Sequence, residues 1–147
     1  MVNTLKFNIP IYLVSLEQDT KRREELKLRF PNHYDDFIQI NAVDGRKISA
    51  KEYYDKTIEY FIKTNKTMSP SELGCTLSHI KALEEFIKTN NNYALILEDD
   101  VIGEDKDIKK IIETAQRLDE NTLFICGGQD GLNVNKYLIG KKYLINE

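Results

Sequence analysis

A short apolar run that ends in three consecutive acids constrains the fold more than any other feature of this sequence. Residues 93–97 are apolar, and Glu98, Asp99 and Asp100 follow them directly. A continuous apolar run of this length is typical of a β-strand that is covered on both faces, as in mostly parallel α/β sheets. In such sheets, ligands bind outside the carboxyl ends of the strands. The sequence therefore predicts an α/β fold with an acidic ligand site at one strand end.

Other apolar segments predict further strands of the same sheet. Residues 9–16 are rich in strand-favouring side chains and predict a first, central strand. Residues 37–43 predict a second strand that ends at a turn at Asp44 and Gly45, and residues 122–126 predict another short, buried strand. Helical patterns separate these segments, so the sequence indicates a mostly parallel, Rossmann-like sheet flanked by helices.

Helix-start signals precede the first three of four predicted helices. The capping residues are Asp19 or Thr20 for the first helix, Ser49 with Glu52 for the second, and Ser69 with Pro70 and Glu72 for the third. Apolar residues at helical spacing predict the core-facing side of the third helix: Leu73, Leu77, Ile80, Leu83 and Ile87. A similar pattern predicts the fourth helix: Ile108, Ile111, Ile112, Ala115 and Leu118.

The composition fits a single soluble domain over residues 1–147. Of the 147 residues, 41% are hydrophobic, and the formal net charge is -3. Basic and acidic residues are interspersed, so no basic face for nucleic acid stands out. No apolar run approaches the roughly 20 residues of a membrane-spanning helix, and we expect neither an export signal nor an anchor. Cys75 and Cys126 have no metal-type spacing and are predicted to be buried thiols in a reducing cytosol, with a disulfide between them as the alternative.

The three acids are suited to hold a divalent cation. Adjacent carboxylates repel one another, and desolvating them is costly unless a cation compensates. Mg²⁺ and Mn²⁺ prefer oxygen ligands, and Mg²⁺ commonly binds one or two carboxylates together with substrate phosphates. Because alternate strand residues point to opposite faces, we predict Asp100 as the direct ligand, Asp99 as the second and Glu98 as an orienting residue. The alternative is that Asp99 and Asp100 only begin a solvated loop.

Four blocks of the sequence together resemble a known family, and their combination is more specific than any one block alone. They are residues 11–16 followed by Asp19, Arg22 and Arg23, residues 41–45, residues 69–79, and residues 95–101. In their order and approximate spacing they resemble glycosyltransferase family 25, which includes bacterial lipooligosaccharide galactosyltransferases and collagen galactosyltransferase domains. The resemblance implies a GT-A-type fold, a UDP-sugar donor, usually UDP-galactose, and Mn²⁺ or Mg²⁺ as cofactor. It also implies a saccharide or glycolipid acceptor such as lipooligosaccharide, and a cytoplasmic location at the inner face of the bacterial inner membrane.

The same resemblance implies a group of donor-binding residues outside the acidic run. They are Ser15, Leu16, Arg22, Arg23, Asp44 and His79. Arg22 or Arg23 would bind the diphosphate, since a guanidinium donates several hydrogen bonds, or both would lie on a solvated helix face. Asp44 would accept a hydrogen bond from the base or ribose, or would only open a turn. His79 belongs to a family motif without an assigned role and is otherwise a structural histidine.

The acceptor side is less completely represented in the sequence. Family domains usually continue well beyond the acidic motif, so we expect residues 1–147 to hold the donor-binding part with an incomplete acceptor side. Asp130 is the candidate for a catalytic base, and its alternative is a solvated loop acid. Two other functions remain open: a nucleotide-sugar-binding module without turnover, and a metal-dependent phosphohydrolase of another α/β family.

Overall fold

The computed structural model describes residues 9–119 and 122–126. Within these residues, three parallel strands form one sheet in the order β2-β1-β3, and four helices accompany it. The strands are β1 (Ile11–Ser15), β2 (Phe37–Asn41) and β3 (Leu95–Glu98). The helices are α1 (Thr20–Arg29), α2 (Ala50–Thr64), α3 (Pro70–Ile87) and α4 (Asp105–Ala115). The predicted α/β class is confirmed, whereas Asp130 lies outside the described residues.

Strand β1 is the centre of the sheet. Its first residue, Ile11, is in register with Phe37 of β2 and with Leu95 of β3. All five residues of β1 are buried, as expected for a strand that has a neighbour on each edge and helices on each face. The three predicted strands that fall in this sheet are confirmed, although their ends differ by a few residues from the predicted ones.

Two apolar cores lie on opposite faces of the sheet. One consists of side chains from β1, β3, α1 and α4, together with Phe30 after α1: Ile11, Leu13, Leu26, Phe30, Leu95, Leu97, Ile108 and Ile112. The other consists of Tyr12, Val14, Ile40 and Ala82, with Phe86 and Ile96 partly buried against them. Successive residues of β1 alternate between the two cores because strand side chains point to opposite faces. Strand β1 is therefore packed against an apolar core on each face.

Helix α3 packs on the sheet through small residues, and the predicted apolar stripe is wrong. Ile80, Leu83 and Ile87 are exposed, with Ile87 at 76% of its full accessibility. Gly74, Ser78 and Ala82 are buried instead and recur every four residues, on one side of the helix. Small side chains let the helix backbone approach its neighbours closely, which turns most of the larger apolar residues outward. Leu73 is the member of the predicted stripe that is buried.

Two further predictions from the sequence are wrong. Residues 122–126 form no strand, and Leu123 is 84% exposed. A five-residue apolar run is too short for periodicity to separate a strand from a loop. Cys75 and Cys126 are both exposed, not buried. Cys75 follows Gly74 on α3 and is turned away from the small-residue side, a rotation that composition cannot predict.

The first three helices begin where the sequence predicted, and two of the three predicted capping residues bond to the helix through their side chains. Ser69 precedes α3 and forms the full capping box with Glu72, whereas Ser49 before α2 accepts a bond from the Glu52 amide only. Asp19 precedes α1 without a side-chain cap bond. At the start of α4, the Asp107 carboxylate accepts a 2.9 Å hydrogen bond from the Glu104 amide, a contact that was not predicted from the sequence. Among the described helices, none is long and apolar enough to cross a membrane.

Candidate active site

Ser15 and Asp99 join the carboxyl ends of the two strands β1 and β3. The Ser15 hydroxyl donates a 2.7 Å hydrogen bond to Asp99 Oδ2, and Arg22 Nη1 donates one of 2.9 Å to Oδ1. Asp99 is only 7% exposed. Its hydrogen bond and its charge raise the pKa of Arg22. In a sheet of order β2-β1-β3, the gap between β1 and β3 is the point where the strand order reverses, and ligands bind at such points in α/β proteins.

Arg23 holds the loop that follows β1. Its Nη1 donates hydrogen bonds to Ser15 Oγ at 2.8 Å and to the Leu16 carbonyl at 2.6 Å, and its Nη2 donates one to the Glu17 carbonyl at 2.8 Å. Arg22 and Arg23 therefore both have tertiary partners at the strand ends, and the alternative of a purely solvated helix face is wrong. The two guanidinium groups place positive charge beside the three acids.

The three acids differ in their surroundings because the chain turns after β3. Asp99 points inward, whereas Glu98 and Asp100 are exposed. The Asp100 carboxylate forms no hydrogen bond or ion pair with any described residue, but its charge raises the pKa of Arg22. Glu98 Oε1 lies 3.1 Å from His79 Nε2 of α3. Asp100 therefore offers uncommitted oxygens, and Asp99 offers the remaining lone pairs of a carboxylate that already accepts two hydrogen bonds.

A cleft of about 340 Å³ lies beside the carboxyl ends of β1 and β2. Its lining includes Leu16, Glu17, Asn41, Asp44 and Lys47. Asp44 accepts hydrogen bonds from the Arg46 side chain, 2.8 Å from Nε and 2.9 Å from Nη2, and from its backbone amide at 3.1 Å. These bonds lower the pKa of Asp44, despite its partial desolvation. The carboxylate thus has a local turn role and also borders the cleft.

Close backbone contact brings the block of residues 69–79 onto the block of residues 41–45. A Cβ atom on Gly74 would lie 2.7 Å from the Val43 carbonyl oxygen and 2.7 Å from the Gly45 amide nitrogen. Ser78 Oγ accepts a 2.8 Å hydrogen bond from the Val43 amide and donates one of 2.6 Å to the Gly74 carbonyl. Packing therefore requires glycine at position 74, and the hydrogen bonds of Ser78 also hold α3 beside the cleft.

The structure brings most of the predicted site residues to one edge of the sheet. Ser15, Arg22, Arg23 and Asp99 form one hydrogen-bonded group. Leu16 and Asp44 border the cleft, His79 contacts Glu98, and Asp100 faces solvent. Sequence reasoning missed Cys75, whose thiol lies near His79 and Glu98. The four-residue spacing of Cys75 and His79 on one helix was the signal that could have found it.

Comparison with known proteins agrees with the arrangement of these blocks. Residues 8–137 match the family model described as glycosyltransferase family 25 (LPS biosynthesis protein). The chain belongs to glycosyltransferase family 25. Family membership argues against the phosphohydrolase alternative. No solved structure matches this family 25 chain.

Curated relatives resemble this family 25 chain over part of their length. A glycosyltransferase 25 family member of Anopheles gambiae is 36% identical over 62% of this chain and 16% of its own. Human procollagen galactosyltransferase 2 is 24% identical over 77% of this chain and 19% of its own. A Haemophilus influenzae protein named as a glycosyltransferase is 31% identical over 69% of this chain and 36% of its own. The chain thus spans between about a sixth and about a third of these relatives.

Proposed function

We propose that this family 25 chain binds the nucleotide-sugar donor of a glycosyl transfer, with a divalent cation held at the acidic end of β3. The observation that carries the proposal is the junction of Ser15, Asp99 and Arg22 at the reversal point of the strand order. The cleft is lined by Leu16, which follows Ser15 in the chain, and the exposed Asp100 follows Asp99. A diphosphate that spans this junction would meet donors from arginine and a cation at the acids.

The nucleoside would occupy the cleft beside β1 and β2. Leu16 offers an apolar wall, and the Asp44 carboxylate could accept a hydrogen bond from the ribose or base. Asp44 keeps lone pairs for this purpose although Arg46 already donates to both of its oxygens. Arg22 and Arg23 would be turned towards the diphosphate, with Arg23 also keeping the loop after β1 in place.

The residues present fit Mn²⁺ or Mg²⁺, because Asp99 and Asp100 supply carboxylate oxygens. Asp100 would be the direct ligand, Asp99 the second, and Glu98 would orient a neighbour or a sugar hydroxyl. When bound, the cation would offset the negative charge of the departing diphosphate. Asp99 would be held in place for that task by Ser15.

The transferred sugar is proposed to be galactose, and the acceptor a lipooligosaccharide or lipopolysaccharide saccharide. The donor is supported by the name of the human relative, procollagen galactosyltransferase 2. The acceptor is supported by the family description, which refers to LPS biosynthesis. Such an acceptor would place the protein in the cytoplasm, at the inner face of the inner membrane. Asp130 is proposed as the base that accepts the proton of the acceptor hydroxyl.

A donor-binding module without turnover is the second candidate. It is favoured by the described contacts, because Asp44, Arg22 and Asp99 are candidates for donor binding, and acceptor contacts need not lie in the same segment. Binding and transfer therefore have to be measured separately. Donor binding without transfer to a lipooligosaccharide acceptor would favour the module.

The proposal is tested by calorimetric titration of UDP-galactose into the protein, with and without Mn²⁺. We expect Mn²⁺-dependent binding that is lost in Asp100→Asn. The control is Glu113→Gln, which should retain binding because Glu113 is an exposed acid near the C-terminal end of α4. Binding that does not depend on Mn²⁺, or that survives Asp100→Asn unchanged, would contradict the assignment of the cation site. UDP-glucose and UDP alone, titrated in parallel, separate recognition of the sugar from recognition of the nucleotide.

A further inference from the structure

A second group of potential metal ligands lies beside the acidic run. Cys75 and His79 are four residues apart on α3, which places them on the same side of the helix. Glu98 ends β3 opposite them, with its Oε1 atom 3.1 Å from His79 Nε2. One ligand atom from each of the three residues lies within 4.8 Å of the other two. We call these three residues the Cys75 cluster.

We propose that the Cys75 cluster binds a borderline or soft divalent cation such as Zn²⁺, at a site distinct from the oxygen-ligand site at Asp100. Thiolate and imidazole are preferred ligands of Zn²⁺, whereas Mg²⁺ and Mn²⁺ favour carboxylate and water. One sulfur, one nitrogen and one oxygen ligand leave a fourth tetrahedral position for water. Binding forms a bond from the Cys75 sulfur to the metal and releases the thiol proton to solvent.

The geometry of the Cys75 cluster needs only a small adjustment to accept such an ion. Ligand atoms within 4.8 Å of one another leave a central point about 3 Å or less from each, while Zn²⁺ bonds are about 2.0–2.3 Å long. Rotation of the Cys75 and Glu98 side chains can close this gap because both residues are exposed. The helix and the strand that carry the ligands are themselves held by the core and by the contact of Gly74 with Gly45.

The two proposed cation sites differ in the ligand atoms that they offer. The Asp99 carboxylate accepts hydrogen bonds from Ser15 and Arg22 and is not a member of the Cys75 cluster. Asp100 is near enough for its charge to act on Cys75, but it supplies only oxygen. A cation that prefers sulfur and nitrogen is therefore expected at the Cys75 cluster, and one that prefers oxygen at Asp100. This inference concerns metal alone and does not depend on donor binding.

Cobalt is a suitable probe because a Co²⁺–thiolate bond gives a near-ultraviolet charge-transfer absorption. We expect the reduced protein, titrated with Co²⁺ without nucleotide, to develop this band together with the visible bands of tetrahedral Co²⁺. Added Zn²⁺ should displace Co²⁺ and remove both. Cys126→Ser should keep the charge-transfer band, whereas Cys75→Ser should lose it. Cys75 is exposed, so its replacement by serine leaves the core intact.

Two further variants distinguish the proposed sites. His79→Gln should weaken Co²⁺ binding at least about tenfold, since loss of a direct ligand costs no less than loss of a residue that only orients one. Asp100→Asn should keep the thiolate band. The inference is overturned if no charge-transfer band forms, if the band survives Cys75→Ser, or if Asp100→Asn abolishes it. Failure of UDP-galactose to bind would overturn the proposed function and leave this result unaffected.

Discussion

The Ser15 hydroxyl donates a 2.7 Å hydrogen bond to Asp99, although 84 residues separate the two along the chain. The bond crosses from the end of β1 to the turn after β3 and lies in a buried environment. It links the first and the last of the sequence blocks that resemble the family. Asp99 therefore has a structural role, as a hydrogen-bond acceptor that joins the two strand ends, and it is also a candidate metal ligand.

Replacing Asp99 by alanine is expected to lower the free energy of unfolding by about 1–3 kcal/mol. The change would remove the hydrogen bonds that the Asp99 carboxylate accepts from the buried Ser15 hydroxyl and from Arg22, and a hydrogen bond to a charged group contributes about this much. Chemical denaturation monitored by circular dichroism measures the difference. Asp100→Ala is the matched control, since that carboxylate is exposed and its loss should change stability by less than about 0.5 kcal/mol. Equal losses in both variants would contradict the structural role of Asp99.

Replacing Gly74 by alanine should destabilise the fold by about 1–3 kcal/mol, the usual cost of overpacking. The added Cβ would lie 2.7 Å from backbone atoms of both Val43 and Gly45, which cannot yield as a flexible side chain would. Gly103→Ala is the comparison variant and should cost less, because its Cβ would meet no backbone atom and would lie 3.3 Å from the end of the Phe30 ring, a contact that a small shift of the ring can relieve. The contact would be disproved if both variants unfolded at the same denaturant concentration as the unaltered protein.

The sequence predicted the sheet well because its strands are apolar runs of the expected length. Residues of β1 are buried on both faces, and the run before Glu98 is part of β3. It failed for α3, where Gly74, Ser78 and Ala82 face the core and Ile87 faces solvent. A hydrophobic stripe predicts which side of a helix is buried only when side-chain burial decides the packing. Here close backbone approach decides it, and that depends on the β2–α2 loop.

Part of the candidate site was also predictable from the sequence. The apolar run before Glu98, Asp99 and Asp100 placed these three acids at a strand end. The different roles of the three acids were not predictable, because they depend on the turn after β3 and on contacts with Ser15 and Arg22, which are remote in sequence.

Replacing Ser69 by alanine should lower the free energy of unfolding by about 1 kcal/mol, the usual cost of losing a helix N-cap. Ser69 Oγ accepts a 3.2 Å hydrogen bond from the Glu72 amide, and the Glu72 carboxylate accepts one of 2.6 Å from the Ser69 amide. Thermal and chemical denaturation both report the loss. Ser71→Ala, within the first turn of α3, is the control and should be close to neutral. A larger effect in the control would show that the cap does not stabilise this helix.

The pairing of Asp105 with His33 and Asn32 predicts a specific dependence of stability on pH. Asp105 Oδ1 lies 2.6 Å from His33 Nδ1, and Oδ2 accepts bonds from the Asn32 amide at 3.1 Å and from its side chain at 2.6 Å. Burial alone would raise the pKa of Asp105, but these bonds outweigh it and lower the pKa. The unfolded chain therefore takes up the proton first as the pH falls.

Because the folded pKa of Asp105 is the lower one, its stabilising contribution is complete above the unfolded value of about 3.9 and is lost as the pH falls through the folded value. Asp105→Asn resembles the protonated side chain, so we expect it to be less stable than the unaltered protein by about 1–3 kcal/mol at pH 7. The difference should shrink progressively below about pH 4. Urea denaturation from pH 7 to pH 3 measures it, with Glu113→Gln as a control that should stay within about 0.5 kcal/mol throughout. A difference that stays constant down to pH 3 or grows on acidification would show that the folded pKa is not the lower one.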